Sequence, residues 1–420
     1  MSYPSTPHLS PTGREAGMTW PQRDRKAGLL EHGTPLPSRT PGRPLRELLN
    51  GTASSLVLPN ILPRSSIRLL FLHRHFEMPA EYLSAERLSE LKLLPTPEEV
   101  VKLVENALDE TGSGAAHTEK LVTYADVEKK RSLLSHHCFN SRYAGFKTAS
   151  SAVNNPRIGL PRYSMTFTLL DPNTLRDLVR MDGTDVSLDR TSALPVISVN
   201  RLLPGELELE VFVFGAGPYA DRCITFFLAL LAFRIKRLSI KGAGTDNSQK
   251  LAAKHREGHD FPVEAVDNLD HLPTANVFIF ATSGVWRPLF EMAQIKPHGP
   301  LVMIHLSEGT EIPPDYIEQA KHDNALVCDG AMAVWKRNGQ SVPRYLREQG
   351  FTETSYQELG IRELHQMKGL SGEQCNKRWL VTGVGLATTD LPLVGCIWEK
   401  WKSQQDQGLQ VMKLGSCDMR

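Results

Sequence analysis

The most informative pattern of apolar and polar positions lies at the middle of the chain. A short run rich in Val and Phe, residues 210–214, stops at two glycines one residue apart, Gly215 and Gly217. An apolar stretch of helical length follows at residues 223–233. This order predicts a buried strand, a tight turn at Gly215 and a helix. Gly217 would let the backbone approach a pyrophosphate, and the small Ala220 would let the helix pack on the strand.

A second strand is predicted at residues 237–240, about twenty residues further on, which is the spacing of a dinucleotide-binding unit. It ends at Lys241, where an NAD-selective site usually carries an acid for the ribose hydroxyls. A lysine at this place would tolerate a 2′-phosphate, which makes NADP an alternative to NAD. An exposed strand end explains Lys241 equally well, so the choice between NAD and NADP stays open.

The half of the chain before the glycine turn has a different pattern. Helix starts are predicted at Ser84 and at Thr96, the second with Pro97 in its first turn. Residues 163–170 alternate as a strand and end at a turn over residues 171–173. This punctuation is typical of an antiparallel sheet, unlike the parallel unit that follows.

A further helix is predicted to open at residues 188–194 and to run toward Leu202. Arg190 and Thr191 would then lie at its start. A guanidinium and a hydroxyl at a helix start can be presented together to an anion.

Composition narrows the possible functions. Hydrophobic residues make up 40% of the chain, charged residues 23%, and the net charge is +1. These values are ordinary for a globular enzyme and favour neither nucleic acid nor a membrane as partner. The six cysteines are scattered without paired spacing, which indicates a reducing compartment, and a cytoplasmic location is expected, with no metal site. Residues 1–50 are rich in Pro, Ser, Thr, Gly and Arg, and are predicted to be disordered.

Several motifs then follow one another at characteristic separations. They are Gly145-x-Lys147, Asn155-x-x-x-Gly159-Leu160-Pro161, Asp182-Gly183-x-x-x-Ser187-x-x-Arg190-Thr191-Ser192-Ala193, Gly215-x-Gly217-x-x-Ala220, Ala281-Thr282-Ser283 and the segment Gly383 to Asp390. Together they resemble the ornithine cyclodeaminase and mu-crystallin family, over residues 139–401.

The resemblance implies an α/β chain in which a Rossmann-type nucleotide-binding domain is inserted into an α+β domain that binds substrate and forms a homodimer. The substrate and dimerisation domain would comprise residues 66–202 and 357–402, and the Rossmann domain residues 203–356. The returning helix would cover residues 386–402, and residues 403–420 would form a flexible tail.

The resemblance also implies the substrate site. Lys147 and Arg190 match two of the three cations that hold the substrate carboxylate in cyclodeaminases, and Val384 is expected to contact the substrate. The family's third cation, an earlier arginine, has no clean counterpart, because Lys120 lies nearest and cannot copy a bidentate clamp. Glu308 stands at the place of the catalytic acid and would move protons to and from the leaving amine. His305 is a second possible acid or base, although packing within the strand is the more ordinary role.

For the cofactor, NAD or NADP, the resemblance implies contacts from one set of residues. These are Gly215, Gly217, Ala220, Thr191, Lys241, Ala281 and Thr282. The chain departs from the family pattern at Thr382, where lysine is frequent, and at Gly383, where serine is frequent. Both departures remove polar contacts to the cofactor.

Three functions are compatible with this reading. The first is an ornithine-cyclodeaminase-like enzyme that oxidises the Cα–N bond of an amino acid, loses ammonia and closes a proline-like ring. The second is an NAD(P)H-dependent reductase of cyclic imine or ketimine carboxylates, as in the mu-crystallin branch. The third is a protein that binds NADP(H) or a small ligand without turnover. The substrate would be a small amino or imino acid in each enzymatic case.

Overall fold

The computed structural model describes residues 81–125, 131–337 and 339–415. The predicted disordered segment, residues 1–50, lies outside these ranges, as do residues 66–80 at the start of the predicted substrate domain. The described residues form two sheets, which confirms the α/β fold class with a Rossmann-type domain and a second domain.

The first sheet is built from the N-terminal half and has the strand order β1-β6-β5-β4-β3-β2. Strands β2 to β6 pair antiparallel with their neighbours, and the short β1 pairs parallel with β6. Its strands are β1 (Tyr82–Leu83), β2 (His117–Tyr124), β3 (Arg131–Phe139), β4 (Ala144–Ala152), β5 (Tyr163–Leu170) and β6 (Asp177–Asp182). The predicted hairpin pattern in this half is therefore confirmed.

The second sheet is entirely parallel, with the order β13-β12-β14-β11-β10-β7-β8-β9. Its strands are β7 (Leu209–Phe214), β8 (Ile235–Lys241), β9 (Val263–Ala265), β10 (Val277–Phe280), β11 (Leu301–His305), β12 (Leu326–Cys328), β13 (Arg362–Glu363) and β14 (Arg378–Thr382). The chain changes direction across the sheet between β7 and β10. Ligands of such sheets bind at that switch point, beyond the carboxyl ends of the strands.

The predicted end of the Rossmann domain, residue 356, falls short of this sheet. Strand β14 lies between β11 and β12 and pairs with both, so residues 378–382 belong to the parallel sheet. The boundary was wrong because residues 357–402 were assigned to the substrate and dimerisation domain, whereas residues 378–382 pair within the parallel sheet. The apolar run Trp379-Leu380-Val381 fills a central gap in the sheet, and all three side chains are buried.

Helices cover both sheets. They are α1 (Ala85–Glu90), α2 (Pro97–Gly112), α3 (Thr184–Leu202), α4 (Pro218–Leu231), α5 (Thr245–His255), α6 (Pro314–His322), α7 (Ala331–Lys336), α8 (Ser341–Glu348), α9 (Glu353–Glu358) and α10 (Ala387–Gly415). Ser84 caps α1, and Thr96 and Glu99 form a capping box on α2, so both predicted helix starts are confirmed.

Helix α3 begins earlier than predicted. Its first residue is Thr184 rather than residue 188, because the Asp182 carboxylate accepts the Thr184 N–H directly after Gly183. Arg190 and Thr191 therefore lie in the interior of the helix, and the Thr191 hydroxyl donates to the carbonyl oxygen of Ser187. The anion site predicted at a helix start is thus wrong, because Arg190 lies inside the helix.

Helix α10 follows β14 of the parallel sheet and packs on β3, β4 and β5 of the antiparallel sheet. It also contacts α2 and α3, so the last helix ties the two halves of the core together. The helix continues to Gly415, past residue 403, where a flexible tail was predicted. Residues 416–420 lie outside the described part of the chain.

The described residues contain neither a helix suited to a membrane nor a cluster of metal ligands. None of their helices combines the length and the apolar content needed to cross a bilayer. No three His, Cys, Asp or Glu side chains among them converge as metal ligands.

Candidate active site

The glycine turn lies at the carboxyl edge of β7. Gly215 has φ of 120°, and a Cβ on it would collide with the carbonyl oxygen of Ala281, which follows β10. Only glycine fits this close approach of two loops at the switch point. Gly217 is different, since a Cβ there would meet no atom within 4 Å. Ala220 is fully buried between α4 and the sheet, as predicted.

Helix α4 starts directly after Gly217, and no side chain caps its first turn. Its free N–H groups and the open space over Gly217 form a cradle that a pyrophosphate could occupy. We call Gly215, Gly217 and this first turn the phosphate cradle.

We expect Gly217→Val to weaken NAD(P)H binding at least tenfold, about 1.4 kcal/mol, because its side chain would occupy the phosphate cradle. The melting temperature should stay close to wild type, since the backbone at Gly217 is extended and open. Fluorescence titration and thermal melts measure the two effects. Gly215→Ala is the matched variant, and it should lower the melting temperature because its Cβ clashes with Ala281. Equal NAD(P)H affinity of Gly217→Val and wild type would remove the cradle assignment.

A buried group of charges lies beside the cradle. The Lys147 ammonium donates to Asp390 Oδ2 at 2.6 Å and to Ser187 Oγ at 3.1 Å, and Arg190 Nε donates to Asp390 Oδ1 at 3.1 Å. Lys147 is 2% exposed and Asp390 is fully buried. We call Lys147, Arg190 and Asp390 the inner clamp. Among the described residues neither Arg190 Nη1 nor Nη2 has a hydrogen-bond partner, so the guanidinium fork is open to a ligand.

The inner clamp is shaped by burial and by one glycine. Burial lowers the pKa of Lys147 to about 8, although Asp390 raises it and Arg190 lowers it further. The Arg190 guanidinium lies against Gly385, where φ is +72° and a Cβ would overlap the guanidinium itself. Gly385 therefore makes the space in which Arg190 lies flat.

Tyr219 connects the cradle to the inner clamp. It stands in the first turn of α4, and its hydroxyl lies near Arg190, Asp390 and Ser187. Burial raises the pKa of that hydroxyl, and the charge of Arg190 lowers it.

Two ion pairs hold helix α4 against helix α3. The Arg222 guanidinium donates to the carboxylates of Asp185 and Asp189. The phosphate cradle and Arg190 thus lie at one edge of the molecule.

Glu308 follows β11 at this same edge. Its carboxylate accepts from Arg337 Nη2 at 2.9 Å, and its side chain is 50% exposed. Arg337 Nη1 also donates to the carbonyl oxygen of Val384 at 3.0 Å. Val384 is buried, and its N–H donates to Asp329. The segment Val384–Gly385 therefore lies between Arg337 and the guanidinium of Arg190.

The remaining predicted cofactor residues are engaged in different ways. Lys241 ends β8, and its ammonium donates to the carbonyl oxygen of Asp267 at 2.7 Å. The Thr282 hydroxyl donates inward to the buried carboxylate of Glu311, whereas the backbone of Ala281 lines the switch point. Thr191 bonds its own helix. The assignment of Thr191 and Thr282 to cofactor contacts rests on their positions and stays a prediction.

Glu311 anchors the loop that carries Glu308. Its carboxylate accepts from Thr282 Oγ1, from the Val285 N–H and from Ser307 Oγ, and it is fully buried. His305 Nε2 lies 3.4 Å from the same carboxylate without hydrogen-bond geometry, and its ring packs edge-on against Phe280. His305 is fully buried, as its place in the strand indicated.

Thr382 and Gly383, the two positions that depart from the family pattern, lie at the carboxyl end of β14. Thr382 ends β14 and is 2% exposed. A Cβ on Gly383 would collide with the Leu194 side chain of α3, so serine does not fit here without a shift. A serine at this position would require the Leu194 side chain to move.

Three side chains of the site escaped the sequence prediction. Asp390 was recognised only as part of a motif, without a role. Arg337 lies just past the short helix α7 and belongs to no motif. His136 faces the site from β3, and only the strand register places it beside Lys147. The alternating pattern of β3 and β4 was the one available signal for His136.

Comparison with known proteins identifies the family of this chain. A model of the ornithine cyclodeaminase/mu-crystallin family matches residues 84–302, more than half of the 420-residue chain. The chain belongs to this family. A related plant protein, "Protein SAR DEFICIENT 4" of Arabidopsis thaliana, is 26% identical to this chain over 201 residues. That match covers 46% of this chain and 61% of the plant protein, so the chain spans less than two thirds of that relative.

Solved structures share the fold of this family member. The Δ1-pyrroline-2-carboxylate reductase of Thermococcus litoralis, in complex with NADH and L-proline, superposes with a TM-score of 0.66 at 20% identity, covering 77% of this chain and 98% of the reductase. An archaeal alanine dehydrogenase dimer with bound NAD gives 0.65 at 17% identity, covering 78% and 98%. At these identities the superpositions show the fold.

Proposed function

We propose that this family member is an NAD(P)H-dependent enzyme that reduces the imine of an imino acid to the corresponding amino acid. One observation carries the proposal: the inner clamp opens its Arg190 fork at the edge where the phosphate cradle lies. A carboxylate held by Lys147 and Arg190 would place the neighbouring imine carbon close to a dinucleotide seated over Gly217.

The residues present fit a dinucleotide. A Cβ on Gly217 would meet no atom, and the first turn of α4 has unpaired N–H groups for a pyrophosphate. The match to the family supports NAD or NADP as cofactor, as do the NADH and NAD in the two superposed structures. When bound, the nicotinamide supplies the hydride of the redox step.

The side chains would divide the work. Lys147 and Arg190 bind the substrate carboxylate, since Arg offers a planar fork and Lys147 has one donor left after Asp390 and Ser187. Asp390 keeps both cations in place. Glu308 is half-exposed beside the site and would exchange protons with the nitrogen of the substrate.

A reductase fits this site better than an ornithine cyclodeaminase. A diamino acid needs a carboxylate in the site to bind its side-chain ammonium. The three carboxylates of the described site already have partners. Asp390 accepts from the inner clamp, Glu308 accepts from Arg337, and Asp329 accepts from the N–H groups of Val384 and Gly385. The cyclodeaminase stays the second candidate, because Glu308 stands where the family has its catalytic acid.

The nicotinamide absorbance distinguishes these functions. The purified protein would be mixed with NADH or NADPH and an imine carboxylate, and separately with NAD(P)+ and ornithine. A reductase consumes NAD(P)H with the imine. A cyclodeaminase releases ammonia from ornithine without a net change in absorbance. Tight NAD(P)H binding without turnover on any imine or diamino acid would instead support a non-catalytic binding protein.

The cofactor preference is expected to depend on Lys241. If NADPH is the cofactor, its 2′-phosphate would draw the Lys241 ammonium from the Asp267 carbonyl oxygen. We expect Lys241→Ala to raise the KM for NADPH about tenfold, since a hydrogen bond to a charged group contributes about 1.5–3 kcal/mol. The KM for NADH should change less than twofold. Equal changes in both constants would contradict recognition of the 2′-phosphate by Lys241.

We further propose that the chain forms a homodimer through the outer face of the antiparallel sheet. Leu121, Leu133 and Phe139 project from that face and are 64%, 63% and 44% exposed. Such an apolar patch is typical of an interface between subunits. The archaeal alanine dehydrogenase of the same fold is a dimer. Sedimentation of wild type and Leu133→Glu tests this assignment.

A reducing compartment such as the cytoplasm fits the thiols. The cysteines of the described chain, Cys138, Cys223, Cys328, Cys375 and Cys396, are all free. Secreted proteins commonly pair such residues. Fractionation of cells that express a tagged chain would test the location.

A further inference from the structure

Arg337 brings an additional cation to the edge of the antiparallel sheet. It follows α7, whose last residue Lys336 has its ammonium 3.4 Å from the Glu119 carboxylate of β2. Arg337 also holds the Val384 carbonyl oxygen, and the next residue, Gly385, is covered by Arg190. The two arginines therefore contact neighbouring residues: Arg337 contacts Val384, and Arg190 contacts Gly385.

A row of side chains crosses the sheet beneath them. Lys120 of β2 is paired with His136 of β3, and His136 is paired with Lys147 of β4. Residues opposite each other on neighbouring strands point to one face of a sheet. Lys120 and Lys147 are thus separated by two strand spacings, roughly 10 Å at the backbone, with His136 between them. We call Lys120, His136 and Arg337 the outer cluster.

His136 has an unusual environment within this row. Its side chain is 3% exposed, and within the described chain neither ring nitrogen has a hydrogen-bond partner. Burial, followed by the charges of Lys147 and Lys120, lowers its pKa far below the usual range, so the ring is neutral at pH 7. A neutral imidazole has one donor and one acceptor, and leaving both unpaired is costly. The ring is therefore a ready partner for a ligand.

The charges at this edge do not balance. Four basic side chains face it, Lys120, Lys147, Arg190 and Arg337, and burial, followed by the charges of Arg337 and Arg190, lowers the pKa of Lys120 well below its usual range. Two of the acids are paired with them, Asp390 and Glu308. A third acid, Asp329, is occupied by the N–H groups of Val384 and Gly385, and burial raises its pKa. With one substrate carboxylate on the inner clamp, the Glu308 carboxylate faces both Arg337 and Lys120, and a second carboxylate at this place would favour the charged form of Lys120.

We propose that the outer cluster binds a second carboxylate, on the side chain of the substrate, so that the preferred substrate is an imino dicarboxylate. This inference rests on the proposed function, because it assumes that the first carboxylate is held by the inner clamp. Arg337 supplies the guanidinium and Lys120 an ammonium, while the His136 N–H completes the contact. A side-chain ammonium, as in a diamino acid, is repelled at the same place.

The experiment compares two 2-oxo acids of equal length, 2-oxoglutarate and 2-oxopentanoate, each with excess ammonium and NAD(P)H. Ammonia condenses with the oxo group and water leaves; the imine carbon then accepts hydride from NAD(P)H and its nitrogen a proton, which gives the amino acid and NAD(P)+. Wild type should prefer the dicarboxylate at least tenfold in kcat/KM. Arg337→Gln should lower that preference to near one, because it should reduce kcat/KM for 2-oxoglutarate more than for 2-oxopentanoate.

Lys336→Gln is the matched control, since it removes the adjacent positive charge, which points to Glu119 instead of the site. It should keep the preference. If NAD(P)H is consumed but wild type shows no preference for the dicarboxylate, the second subsite is refuted and the reductase stands. If neither oxo acid is reduced, the proposed function fails by itself.

A binding measurement decides the subsite independently of turnover. Glutarate should raise the melting temperature of the NAD(P)H-loaded protein more than pentanoate does, by mass action on the folded state. Arg337→Gln should abolish the difference. Equal shifts with glutarate and pentanoate in wild type would overturn the proposal.

Discussion

Replacing Asp390 by asparagine is expected to lower kcat/KM for the imino acid by at least about 100-fold, because breaking a buried ion pair costs about 3–5 kcal/mol. Asp390 is fully buried and holds Lys147 at 2.6 Å and Arg190 at 3.1 Å. Asparagine keeps the shape of the side chain and removes the charge that holds both cations. NAD(P)H affinity should change little, since Asp390 acts on the substrate clamp. Steady-state kinetics and fluorescence titration measure the two effects.

Glu399 offers a matched control on the same helix α10. Its carboxylate accepts from Arg142 and from Tyr143 and its side chain is 51% exposed. Glu399→Gln removes one negative charge at the surface, where an ion pair contributes about 0–1 kcal/mol. Activity should stay within twofold of wild type. A wild-type kcat/KM in Asp390→Asn would show that the clamp does not need its central carboxylate.

The second large effect is a pH dependence set by Lys147. Burial brings its pKa to about 8. In the proposed function, Lys147 contributes to carboxylate binding only while it is charged. We expect kcat/KM to be level below pH 8 and to fall about tenfold per unit above it. Asp390 raises this pKa, so Asp390→Asn should move the descending limb to lower pH. A profile of kcat/KM against pH for both proteins measures the shift.

The free energy of unfolding should also depend on Lys147, but it should rise with pH where kcat/KM falls. The pKa of Lys147 is lower in the folded chain than the ordinary value of 10.5, so the unfolded chain binds more protons between about pH 8 and pH 10.5. The contribution of Lys147 to the free energy of unfolding therefore rises with pH across this window. Lys147→Met should remove the rise, so the melting temperature of wild type relative to that of the variant should increase with pH across this window. A constant difference would contradict the lowered pKa.

Much of the fold could be predicted because its signals are local. The strand, glycine turn and helix around Gly215 follow from residues within one short segment, and the capping box at Thr96 needs only four residues. Lys147 and Arg190 were found through ordered motifs. The boundary at residue 356 failed because β14 enters the sheet between strands that precede it in sequence. Such an insertion is decided by tertiary packing and leaves no local signal.

The rest of the site depends on contacts between distant segments. Arg337 lies at the site because the end of α7 lies beside β2, where Lys336 contacts Glu119. No motif or spacing in the sequence predicts this contact. His136 required the register between β3 and β4. The start of α3 was misplaced because a single side chain, Asp182, caps the helix immediately after Gly183. Site residues could be predicted where they belong to one sequence motif. They could not be predicted where several distant elements bring them together.

The position of Asp390 has a consequence for biosynthesis. Lys147 is made early, but the carboxylate that compensates its buried charge arrives with α10, near the end of the chain. A nascent polypeptide that has emerged only to β14 contains Lys147 and Arg190 but lacks the carboxylate that binds both of them. The substrate clamp is therefore complete only after Asp390, in the first turn of α10, has been added to the chain.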